Sequence, residues 1–351
     1  MPMIKLKELT EIKATYKIIT PMFIGDANKD ATGISPQSFK GALRYWWRAL
    51  AWSRIFQDKP NEVEALKELH RQEAVLFGSS AVNTKIKKIY GKGKIALKIT
   101  AQPQKLLNKV TNWPKNSNTP STYLAFGITE SGKKVKNNYI PHREGISESG
   151  NEFTVVISIK KSDDSTKKQI ENVLKFMGLV AGLGSRSRRG FGSIQLDELN
   201  NNKIKLHDKN DYCNQLSQYL DTNIKKAPYT AISQDSHFEC MTGGNDARST
   251  HTIISRIYKQ HHHHIDTGDK KKDDKEKRKK KVFGLPLPAV DSKARRASPL
   301  FIHILKIQGN FYCCVLYLPS SIFHKDRNHQ EVDYGLLTNF LKDVKGNDNV
   351  R

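Results

Sequence analysis

Arg186, Arg188 and Arg189 fall in the stretch 179–193, L-V-A-G-L-G-S-R-S-R-R-G-F-G-S, bracketed by Gly182, Gly184, Gly190 and Gly192. Ser185 and Ser187 alternate with the arginines, and no acid lies in the stretch to neutralise it. Planar guanidinium forks, hydroxyls and the backbone N–H groups of a glycine-rich turn suit a row of phosphate oxygens. Glycine also lets a second backbone approach closely. The expected chemistry is a grip on a nucleic-acid backbone by Gly184, Ser185, Arg186, Ser187, Arg188 and Arg189. A dinucleotide fingerprint would need a third glycine where Ser187 stands, and a Walker loop would need a terminal Gly-Lys-Ser/Thr. The plainer reading is a helix C-cap with solvated arginines, but a cap alone needs one glycine rather than four.

A second cationic set lies in S-F-K-G-A-L-R-Y-W-W-R-A-L (38–50). At 100° per residue Phe39, Leu43, Trp46 and Leu50 share about 60° of a helix, a core-facing stripe. Lys40, Arg44 and Arg48 follow at i, i+4, i+8 on another face. A solvated basic face is the plain alternative. Lys40 in the first turn, however, opposes the helix dipole unless an anion lies near. Trp46 is expected in the core, Tyr45 and Trp47 are ambiguous, and Trp52 fits packing better than a base platform.

Catalytic sets are thin. A metal-independent ribonuclease needs a general acid and base, and before residue 200 the sequence offers only His70 and His142. A two-metal site needs clustered carboxylates, whereas Asp26 and Asp30 read as loop caps. His237-x-x-Cys240 with His251 is too loose for zinc, and the run His261–His264 could hold metal only adventitiously. No catalytic residue, cofactor or metal site is expected.

The elements that must position these side chains follow from pattern. With 351 residues, two domains are the prior. Lys and Arg number 59 against 35 Asp and Glu, a net charge of +24. The run Lys270–Lys281 contributes +6 of that, leaving +18 for the rest, which favours a polyanionic partner, nucleic acid ahead of membrane. No signal peptide or membrane span is visible, and four cysteines without a CxxC pair fit reduced, partly buried thiols in a cytoplasmic protein.

Strands are expected at 11–20, 85–100, 152–160 and 190–199, with a short one possible at 123–128. Helices are expected from Ser35, over 61–76 and over 166–181. This order is that of a ferredoxin-like (RRM-like) β-α-β-β-α-β unit with a long insertion at 101–150. Beyond Asn200 the pattern predicts a strand at 229–233, a helix at 246–260, a charged loop at 259–281 expected to be mobile, a hairpin at 299–318 closed by Gly309-Asn310, and a closing helix at 331–342. The fold class is α+β: two tandem ferredoxin-like domains with long insertions, 1–200 carrying the glycine–arginine loop at 182–193, and 201–351 a degenerate second copy.

Three patches resemble one family: T-P-M-F-I-G (20–25) with the R-Y-W-W-R helix, the loop G-L-G-S-R-S-R-R-G-F-G-S, and F-G-L-P-L…R-R-A-S-P-L (283–300). Together they look like the RAMP superfamily of CRISPR proteins, more narrowly the first subunits of the type III-B Cmr effector, over about 20–318. The resemblance implies tandem ferredoxin-like domains and a non-catalytic subunit in antiviral defence. It also implies binding of guide RNA near its 3′ end and of the paired single-stranded target, beside other Cmr or RAMP subunits. Matched to the family's motifs, Lys40, Arg44 and Arg48 face RNA, joined by the loop arginines and by Arg295 and Arg296. A RAMP endoribonuclease processing guide precursors is the alternative.

Overall fold

The computed structural model describes residues 9–26, 28, 30–59, 61–79, 91–107, 119–135, 138–141, 144–160, 163–263, 269–271, 279–287, 291–322 and 333–348. The chain opens with β1 (Leu9–Ile18), α1 (Pro36–Gln57), α2 (Glu62–Phe77) and β2 (Ile95–Ala101). A short helix α3 (Pro120–Leu124), β3 (Glu152–Lys160), α4 (Asp164–Val180) and β4 (Ile194–Leu199) complete the first half. These strands form an antiparallel sheet in the order β4-β1-β3-β2, extended at the β4 edge by Asn202–Lys203.

The local reasons are capping and pattern. Ser35 accepts the Ser38 N–H at 3.1 Å ahead of Pro36, and Asp163 accepts that of Thr166 at 2.6 Å, each satisfying an orphan donor of a first turn. Tyr16, Phe39 and Phe153 meet in the core with ring centroids 5.4–5.9 Å apart. That cluster ties β1 and β3 to α1.

The second half holds α5 (Lys209–Leu220), β5 (His237–Thr242), α6 (Ala247–His262), β6 (Leu300–Ile307), β7 (Asn310–Tyr317) and α7 (Gly335–Gly346). Its sheet runs β5-β7-β6, all antiparallel. The hairpin turn is Gln308-Gly309, one residue earlier than expected; both have positive φ, as a two-residue turn matched to strand twist requires.

Several expectations are corrected. Residues 123–128 form the end of α3 and a turn, not a strand, because Pro120 at a first helical position starts a helix that ends at Leu124, and Gly127 with positive φ turns the chain after it. Residues 229–233 are irregular: the Tyr229 hydroxyl bonds to the Arg48 carbonyl and the Ile232 N–H to the Ala49 carbonyl, so this segment clasps α1 instead of joining a sheet. Helix α6 runs to His262, so residues 259–262 are ordered; His264 and most of 264–278 lie outside the described residues. Trp46, Trp47 and Trp52 are all buried. Helix α5, which pattern did not predict, packs through the Tyr212 hydroxyl onto the Leu179 carbonyl at 2.8 Å. Among the described residues no helix is long and apolar enough to cross a membrane.

Candidate nucleic-acid interface

The glycine–arginine stretch joins the two halves. Past it, the N–H groups of Ile302, Ile304 and Lys306 along the open edge of β6 meet the Arg188 carbonyl, Ser193 Oγ and Gln195 Oε1 at 3.0–3.2 Å. A sheet edge otherwise open to another strand is thereby satisfied. Phe301 on the same strand packs against Trp46 at 4.9 Å and Tyr45 at 6.0 Å.

The stretch itself is a tight clasp. The N–H groups of Leu183, Ser185, Arg189 and Gly192 bond to the carbonyls of Gly192, Phe23, Arg186 and Pro21 at 2.7–2.9 Å. This corrects the expected cradle of backbone donors: these four are already used, as packed backbone donors must be. Gly192 (φ +62°) leaves no room for a Cβ, which would stand 2.1 Å from the Leu183 carbonyl oxygen. Gly184 and Ser185 serve packing against Phe23, and of the expected non-arginine residues only Ser187 lines the cavity described next.

That cavity, about 590 Å³, lies between the halves, and Arg186, Arg188, Arg189 and Arg296 all line it together with Tyr123, Phe126, Tyr258, His262 and Phe283. Among the described residues no acid lines it. Arg188 donates to the Ser298 carbonyl at 2.6 Å, its guanidinium carbon 4.4 Å from the Phe301 ring centre and 5.1 Å from that of Tyr45. Arg189 donates to the Phe283 carbonyl at 3.2 Å and lies 4.4 Å over the Tyr258 ring, while its Nη1 is buried without a hydrogen-bond partner among the described residues. Arg296 donates to the Tyr334 hydroxyl at 2.7 Å. Arg186 sits in the left-handed region (φ 59°) with its guanidinium against Gly127.

Rings and carbonyl dipoles thus hold four like charges together where carboxylates would otherwise be needed. The strain is electrostatic as well as steric. Burial and then the neighbouring Arg189 push the Arg186 pKa down, and burial does the same to Arg296. His262, hydrogen-bonded through Nδ1 to the Tyr123 hydroxyl, is lowered to about 3 by burial first and then by Arg189 and Lys280. His251 is buried, and its Nε2–H donates to the Arg189 carbonyl at 2.8 Å, locking the loop from behind.

The α1 cations are placed differently. Arg44 Nε pairs with Glu73 Oε1 of α2, and Arg48 Nε lies 3.7 Å from Glu73 Oε2. The Glu73 side chain is only 6 % exposed, those of Arg44 and Arg48 37 % and 39 %. The expectation of an open cationic stripe is therefore corrected: α2 packs on this face and brings a shared carboxylate. Lys40 is half-buried, its pKa lowered by burial and by Arg44. Arg295 lies on the strand Asp291–Arg296. His70 is exposed on α2 and is not among the residues that line the cavity, and His142 lies outside the described residues. His237 is exposed while Cys240 and His251 are buried, and among the described residues no three His, Cys, Asp or Glu groups are placed to hold a metal. Asp26 accepts from the N–H groups of Asn28 and Asp30, a loop cap as read.

Pattern missed Tyr123, Phe126, Tyr258, His262 and Phe283 as site residues. The aromatic–glycine run Tyr123–Gly127 was the available signal, but the cavity joins segments far apart in the chain.

A family model described as the RAMP superfamily matches residues 15–195, and the chain belongs to that superfamily. Within it the chain is similar to the CRISPR system Cmr subunit Cmr1-1 of Pyrococcus furiosus, 25% identical over 331 residues that span 86% of each chain. It is 28% identical to Cmr subunit Cmr1-2 of the same organism over 190 residues, 52% of this chain and 92% of that relative. The fold is shared with the crystal structure of apo Cmr1 from Pyrococcus furiosus (TM-score 0.57, 20% identity, 95% of this chain and 96% of that one). It is shared also with a chain of the type III-B Cmr-beta complex bound to cognate target RNA (TM-score 0.59, 12% identity, 97% and 99%).

Proposed function

We propose that this chain is a non-catalytic, RNA-binding subunit of a type III-B Cmr effector, built from two tandem ferredoxin-like units that divide near residue 200. It grips the guide RNA towards its 3′ end, the paired target, or both, through backbone phosphates, beside other Cmr subunits. The observation that carries this is the gathering of Arg186, Arg188, Arg189 and Arg296 in one cavity that no carboxylate lines among the described residues. A guanidinium has five N–H donors, so those already bonded to carbonyls keep donors for phosphate oxygens. The strand orders β4-β1-β3-β2 and β5-β7-β6 support the two-unit reading, the second sheet having three strands among the described residues. Similarity to Cmr1 relatives, one neighbour of which belongs to a complex bound to target RNA, supports the assembly.

The endoribonuclease alternative is not favoured, since its candidate base His70 is exposed on α2 and is not among the cavity-lining residues. Ultraviolet crosslinking of the assembled complex, with crosslinked peptides read by mass spectrometry, tests the proposal. Crosslinks in peptides that hold 123–126, 186–189 or 296–298 are expected. RNA crosslinks confined to other surfaces would contradict it.

A further inference from the structure

Phe126 is 80% exposed and stands at the rim of the arginine cavity, one residue before Gly127, against which the Arg186 guanidinium lies. Of the exposed large hydrophobic side chains among the described residues, Leu9, Val63 and Phe126, only Phe126 lines the cavity. Among the described residues the Phe126 ring stacks on no other ring, although ring contacts join most other aromatics around it: Tyr123 with Tyr258 and His262, and Tyr258 with Phe283. The segment that carries it is anchored rather than loose. The Ser121 hydroxyl bonds to that of Thr252 at 2.9 Å, the Ile128 N–H to the Ala125 carbonyl at 2.7 Å, and Leu124, Ala125 and Ile128 are buried. The exposed face is therefore held in place over a concave, cationic site.

We propose that Phe126 is a base-stacking platform, and that the cavity beside it takes one unpaired nucleotide of the RNA, its phosphate drawn to the guanidinium groups of Arg186 and Arg189 that line it. This deepens, and rests on, the phosphate-binding reading of the same cavity. Two observations select an unpaired base. An exposed ring presents its face only to a base that has left its own stack, since a base inside a duplex has both faces occupied. The cavity's volume, about 590 Å³, suits a single nucleotide and not the width of a double helix. Stacking on a ring tolerates any base, so the platform adds affinity without sequence preference.

The test uses the full chain and short single-stranded RNAs carrying 2-aminopurine at each position in turn, with the blunt duplex of the same sequence as comparison. Wild type is expected to quench the fluorescence at one position or a short window and to bind the duplex more weakly. Phe126→Ala is expected to abolish that quench and weaken single-strand binding about tenfold. Phe126→Tyr should restore both, and the salt dependence of binding should be the same in all three because phosphate contacts are untouched. A Phe126→Ala protein that binds and quenches like wild type, or a wild type that prefers the blunt duplex, would overturn the platform while leaving salt-dependent RNA binding standing. Absence of RNA binding by wild type would overturn both.

Discussion

Four arginines share one cavity, yet their side chains have different jobs. Arg188 is wedged between Phe301 and Tyr45 and tied to the Ser298 carbonyl, so it fastens the second sheet to α1. Arg188→Ala should lower stability by about 1–2 kcal/mol through lost cation–π contact and hydrogen bonding, read from urea unfolding. Arg186 contributes little to packing: its backbone is held in the left-handed region and its charge opposes that of Arg189. Arg186→Gly should leave stability unchanged or slightly raised while weakening RNA binding, a split that an equal loss in both measurements would contradict. The three loop arginines could be read from residue type and spacing, Arg296 only through the resemblance to the family's R-R-A-S-P-L motif. Their partners could not, because nothing local to 186–189 says that Phe283, Ser298 and Tyr258 will meet them.

At the scale of elements, α1 was legible from a local signal, a Ser-Pro cap with an apolar stripe, whereas the four glycines marked a special turn but read as a phosphate cradle and not as the clasp they form. What escaped was the outer face of α1. A periodic pattern shows that Lys40, Arg44 and Arg48 share a side, but only the tertiary placement of α2 supplies Glu73 to that side. Glu73→Gln leaves two partly buried arginines without their anion. A loss of about 1–2 kcal/mol is expected in urea unfolding, discounted for the arginines' exposure, with RNA affinity unchanged or raised. Gly192→Ala tests the clasp. A Cβ there would meet the Leu183 carbonyl in a backbone conformation side chains avoid, and a stability loss of at least about 2 kcal/mol is expected.

Across the whole molecule, the two halves are joined through β6, whose edge is satisfied by the clasp and whose Phe301 reaches the first core. Burial lowers His251 to about 4, and His262 and His303 to about 3, from an ordinary value of 6.5. Their folded pKa values lie below the unfolded ones, so the unfolded chain binds more protons as pH falls below about 6.5. Stability is therefore full above that pH and declines towards pH 4, by up to about 1.4 kcal/mol per pH unit for each histidine, and thermal melts across pH 4–7 should show it. The α+β order of the first half was readable from alternating strands and capped helices, whereas the inter-half cavity depends on contacts distant in sequence. On the proposed function this cavity neutralises RNA phosphates. The most direct measurement is the affinity for a single-stranded RNA as a function of salt, for wild type and for the Arg186→Ala/Arg189→Ala double variant. Wild-type affinity should fall steeply with salt, and the variant should bind more weakly with a slope reduced by about 0.7 for each lost phosphate contact. A folded variant with wild-type affinity and an unchanged slope would contradict the account.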